Sequence, residues 1–148
     1  MAVAGLGSAL MLAAALGFQH LGDLPPCKMC LWQRWPHGIA AVLGLIGVLL
    51  PLRTVAHAGA GATAVTAGLG GFHTGVEQGW WEGPAGCSGI SLMNLDPKAA
   101  LDALLSAPVV RCDEISWQFL GLSMPTWNMV ITLGLMVIWL FAAIRRDA

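Results

Sequence analysis

Residues 1–22 carry no charged side chain, and three later stretches, 35–52, 58–76 and 125–144, are equally free of charge. At 1.5 Å of rise per helical residue, stretches of this length cross, or nearly cross, a hydrocarbon core of roughly 30 Å. The 148-residue chain is 57% hydrophobic and 10% charged, where an average globular chain has roughly 25% charged residues. Its mean hydropathy is +0.72. These values predict an all-α membrane protein, one bundle of four transmembrane helices at about 1–22, 35–52, 58–77 and 125–144. A cleavable signal peptide is the rival for the first stretch. It would need a basic start and a small-residue cleavage site, but no Lys or Arg precedes Lys28 and Gln19-His20-Leu21 is no such site.

The polar residues fall between the spans. Pro25-Pro26 stops the first helix, and Pro36 suits the first turn of the second. Small residues in 58–76 let helices approach closely. Trp80, Trp81, Trp117 and Trp127 sit near the ends of apolar runs, as interfacial anchors do. The chain offers no strand. The two longer connections, about 23–34 and 78–124, share one side of the bundle. In the second, Asp96-Pro97 reads as an N-cap followed by a first-turn proline. Leu101, Leu104 and Leu105 then share a face, which predicts a short amphipathic helix, on the membrane surface or packed on the bundle. A net charge of −1 and seven Lys plus Arg give no basic patch for nucleic acid.

All four cysteines lie in those two connections: Cys27 and Cys30 as a C-x-x-C pair, Cys87 and Cys112 as a separated pair. Basic residues orient the bundle poorly. Arg53, Arg145 and Arg146 lie on the terminus side, and Lys28, Arg34, Lys98 and Arg111 on the cysteine side. Disulfides persist outside the cytoplasm, so the cysteines favour an extracytoplasmic face.

A C-x-x-C beside a helix start lies near backbone N–H groups and the positive end of the helix dipole, which favour thiolate. Cys30 is nearer the second helix and is the expected thiolate. Arg34 shares its helical face four residues on, as a further thiolate-favouring cation or as an interfacial snorkelling residue. A C-x-x-C bridge closes a very small loop and stabilises little, which points to redox rather than structural use. Two structural disulfides stay open as an alternative. No nucleotide fingerprint is present; two electrons from a dithiol can instead go to a lipid-soluble quinone at the membrane face. Cys30, Arg34, His73, Trp32 and Trp117 are candidates for such a site; His73 reads equally as a helix-interface histidine. No metal is expected, because a zinc site would prefer a second closely spaced pair. A haem b carrier ligated by His20 and His73 is a further alternative.

Three motifs make the pattern specific: Phe18-Gln19-His20; Leu24-Pro25-Pro26-Cys27-Lys28-Met29-Cys30 with Arg34; and Cys112 followed by Trp117-Gln118-Phe119-Leu120-Gly121-Leu122-Ser123-Met124-Pro125. Over nearly its whole length the chain resembles the bacterial disulfide bond formation protein B (DsbB) family. The run from Trp117 to Pro125 argues against a vitamin K epoxide reductase relative. The resemblance implies an inner-membrane thiol:quinone oxidoreductase with its cysteine loops in the periplasm, using ubiquinone or menaquinone. It implies that a reduced DsbA-type thioredoxin-fold partner attacks Cys87, that Cys112 relays to Cys27, and that Cys30 donates to quinone. Arg34 and His73 would then lie beside the quinone, with Trp117 as a wall. An acidic residue expected directly before His73 is absent.

Overall fold

The computed structural model describes residues 1–87, 96–106 and 110–145, with the side chains of 99, 100, 103, 104 and 106 outside the description. Four long helices dominate it: α1 (Ala2–His20), α2 (Lys28–Leu49), α3 (Arg53–Glu77) and α5 (Met124–Ile144), with a short α4 (Pro97–Ser106) between the last two. Arg146 lies outside the described residues. α1 and α5, of 19 and 21 residues, are long and apolar enough to cross a membrane, with mean hydropathies of 1.6 and 2.1.

The helices start earlier than the apolar runs. α2 begins at Lys28 rather than near Trp35, because Cys27 caps it, so the C-x-x-C is its first turn and not part of a loop. Pro36 falls inside α2 instead of opening it. α3 begins at Arg53, five residues ahead of the expected span at 58–77. Asp96 behaves as read: its Oδ1 accepts the Lys98 N–H at 3.0 Å. Leu101 and Leu105 on α4 are exposed, and the Leu104 side chain is among those not described.

α3 packs on α2 and α5, and α1 on α2 and α5. The bundle is small and polar inside, apolar outside. Ala4, Ser8, Ala40, Ala56, Ala60, Thr63, Thr66 and Thr132 are buried, whereas Leu6, Leu10, Leu45, Leu49 and Phe141 are exposed. Water would disfavour that distribution; lipid tails, as apolar as leucine, do not. Close approach is built on glycine. A Cβ on Gly44 would sit 2.5 Å from the Gly5 Cα on α1. Gly44→Ile is therefore expected to destabilise the bundle by roughly 1–3 kcal/mol through overpacking. A thermal midpoint in detergent equal to that of the parent would show that this contact does not limit packing.

A small hairpin precedes α5, where no strand was expected. β1 (Gln118–Phe119) pairs antiparallel with β2 (Leu122–Ser123). Leu120 and Gly121 turn it with φ of 51° and 77°, the positive pair that a two-residue type I′ turn requires. Two-residue strands carry too little alternation to be seen in sequence. The Trp127 indole N–H donates to the Phe119 carbonyl at 3.0 Å and ties the hairpin to α5.

Candidate active site

The C-x-x-C is shaped by helix capping. Cys27 has extended backbone (φ −73°, ψ 171°), and its sulfur accepts the Cys30 backbone N–H at 3.2 Å. The two sulfurs are 2.7 Å apart, within hydrogen-bond reach. His73 on α3 brings Nε2 to 3.7 Å from the Cys27 sulfur. The Cys27 thiol is therefore held well below the ordinary thiol range, first by the Cys30 thiol, then, against the cost of burial, by His73 and the Cys30 N–H. Cys30 is pushed up, first by its bond to Cys27 and then by burial. The capping geometry thus favours negative charge on Cys27, where the sequence places it on Cys30. The helix begins one residue after Cys27, so its first free N–H groups serve Cys27.

Cys87 and Cys112 form a disulfide, and the Cys112 N–H donates to the Cys87 carbonyl at 2.7 Å. The reacting atoms of Cys27, His73 and Cys112 lie within 4.8 Å of one another. All four cysteines join Met29, Val76 and Val110 in one cluster, with Cys87 and Cys112 at 0% exposure. Helices α2 and α3 thus bring the two pairs together from 57 or more residues apart in sequence.

Beside the cluster lies a cavity of ≈ 390 Å³, lined by Cys27, Cys30, Arg34, His73 and Trp117 among others. Its apolar walls include Phe18, whose ring is 5.0 Å from that of Trp117. Arg34 donates from Nη1 to Gln19 Oε1 at 2.7 Å and from Nη2 to the Ala15 carbonyl at 3.4 Å. Its Nε is buried without a partner. Trp32 is not among the lining residues; its ring lies under the Lys28 ammonium at 5.5 Å. His20 is exposed, and His73 has both ring nitrogens engaged, so the two do not form a haem ligand pair.

Sequence reasoning passed over three buried polar residues. Gln33 contacts His73 Nδ1 at 3.0 Å, Asn128 donates to Gln33 Oε1 at 2.6 Å, and His37 meets Asn128 Oδ1 at 2.8 Å. All three line the cavity. A signal existed: His37 and Asn128 interrupt apolar runs, and polar residues inside spans are functional candidates by default.

The family model described as Disulfide bond formation protein DsbB matches residues 1–142. The chain belongs to the DsbB family. A disulfide bond formation protein B of Stutzerimonas stutzeri is 31% identical, over 98% of this chain and 93% of its own length. One from Hahella chejuensis is 33% identical over 93% and 90%, and one from Methylococcus capsulatus 35% over 86% and 82%. As a DsbB protein the chain is a membrane disulfide oxidoreductase that serves disulfide formation.

Proposed function

We propose that this chain spans the bacterial inner membrane four times, with its cysteine end in the periplasm, and oxidises a DsbA-type thioredoxin-fold dithiol at the expense of membrane quinone. The observation that carries this is the adjacency of a four-cysteine cluster to an apolar-walled cavity lined by Arg34, whose Nε is buried without a partner. A buried guanidinium N–H without an acceptor has a substantial desolvation cost, and a ring carbonyl fits it. Ubiquinone and menaquinone both present such a carbonyl, between walls such as Phe18 and Trp117. A bound quinone supplies a two-electron, two-proton acceptor. The apolar exterior of the bundle supports four spans, and disulfide chemistry supports the periplasmic side.

In the proposed order the partner thiolate attacks Cys87 and the Cys112 sulfur leaves. Cys112 then attacks Cys27 of the oxidised C-x-x-C, releasing Cys30. Exchange through mixed disulfides returns the second pair to its bridge and leaves Cys27 and Cys30 reduced. His73 Nε2 lies beside the Cys27 sulfur and stabilises its negative charge. Cys30 lies at the cavity wall.

Purified protein given a reduced thioredoxin-fold dithiol is expected to bleach quinone absorbance catalytically. No bleaching with any such donor would overturn the assignment. Arg34→Met is expected to raise half-saturating quinone roughly 10- to 150-fold, the range of one lost charge-assisted hydrogen bond. Exchange between the partner and Cys87 should be little changed. If quinone saturation and turnover both match the parent, Arg34 is an interfacial anchor.

A further inference from the structure

His37 is a buried group that the proposed order leaves without a role. It is 4% exposed, lines the cavity, and has one ring nitrogen, Nδ1, buried without a partner. It lies seven residues beyond Cys30 and three beyond Arg34, on the same face of α2.

The hydrogen-bond network fixes which proton His37 carries. The Met29 carbonyl can only accept, so the Gln33 group 3.2 Å from it is the amide nitrogen. Gln33 Oε1 is then an acceptor, and the Asn128 group 2.6 Å from it is Nδ2. Asn128 Oδ1 must therefore accept, from Thr132 at 3.3 Å and from His37 at 2.8 Å. The neutral His37 imidazole thus carries its proton on Nε2, and Nδ1 is a bare lone pair.

A lone pair cannot bond a carbonyl oxygen, which is also an acceptor, but it can accept from a hydroxyl. Oxidation of the Cys27–Cys30 dithiol to a disulfide gives up two electrons and two protons. These convert the two carbonyl oxygens of a quinone into hydroxyls. We infer that His37 Nδ1 accepts a hydrogen bond from a ring hydroxyl of the reduced quinone, so that the cavity favours quinol over quinone and draws electrons out of the cysteine pair. Arg34, a donor, meets the ring's acceptor oxygen; His37, an acceptor, meets the proton that reduction adds. This inference rests on the quinone assignment made above.

Two substitutions separate binding from packing. His37→Gln sets an amide nitrogen near the position of Nε2, so the bond to Asn128 can survive while the acceptor at Nδ1 is lost. His37→Asn does the reverse. Dissociation constants for a short-chain ubiquinone and for its quinol are measured without turnover, in a Cys30→Ser background. His37→Gln is expected to weaken quinol binding roughly 2- to 13-fold, the range of one net neutral hydrogen bond, and quinone binding less than about twofold. Each tenfold lowers the potential of the bound couple by about 30 mV. His37→Asn should keep the quinol preference at some loss of thermal stability. A quinol-to-quinone affinity ratio unchanged in His37→Gln, or lost only in His37→Asn, would overturn the role of His37 alone. A parent that binds neither ring form would overturn the quinone assignment and this inference with it.

Discussion

A Cys30→Ser chain is expected to lose quinone reduction down to the uncatalysed background, while its Cys87–Cys112 bridge still exchanges with a dithiol partner. A serine cannot complete the bridge with Cys27, whose sulfur lies 2.7 Å from that of Cys30. The second pair is a separate disulfide and loses nothing directly. The substitution also removes the thiol that holds Cys27 low, so Cys27 should react with iodoacetamide more slowly at neutral pH than in the reduced parent. Quinone absorbance and mass mapping of alkylated peptides report both effects. Normal turnover by this variant would take Cys30 out of the electron path.

Replacing Cys112 by Ala should trap the partner. Cys87 is then a lone thiol. A partner keeping one reactive cysteine, activated as its thionitrobenzoate disulfide, offers it a sulfur to attack. The bond from Cys87 to the partner forms, and thionitrobenzoate leaves with the electron pair. With the Cys27–Cys30 pair oxidised, no nearby thiol is left to resolve the product. A stable mixed disulfide should accumulate to near stoichiometry, where the parent shows little, and non-reducing gels with mass mapping would locate it. A bridge found at Cys27, or no complex with any thioredoxin-fold partner, would break the assigned order of the cysteines.

Much of this arrangement was legible because the bilayer makes strong demands. Charge-free runs gave the four long helices to within a few residues at most ends, since little else can be done with twenty apolar residues. The error at α2 was local. Apolar pattern cannot see a helix turn made of Lys28, Met29 and Cys30, and that turn decided which sulfur the backbone stabilises. The convergence of Cys27, His73 and Cys112 is a property of packing between α2, α3 and the connection before α5. No spacing rule encodes it; the family motifs hinted at it. The Gln33–Asn128–His37 network was hidden for a different reason. Each residue alone reads as a tolerated polar interruption, and only their hydrogen bonds across α2 and α5 give them direction.

The sulfurs of Cys87 and Cys112 present no surface to solvent. The bridge is therefore insulated from small thiols by access, whatever its reduction potential. Any reductant must first open the cluster, and each 1.4 kcal/mol of opening slows attack about tenfold. A protein partner can offset that cost with docking energy, and a free tripeptide thiol has almost none to offer. On the proposed order, selectivity for the partner is then kinetic shielding: electrons enter through a door that opens for something large enough to hold it.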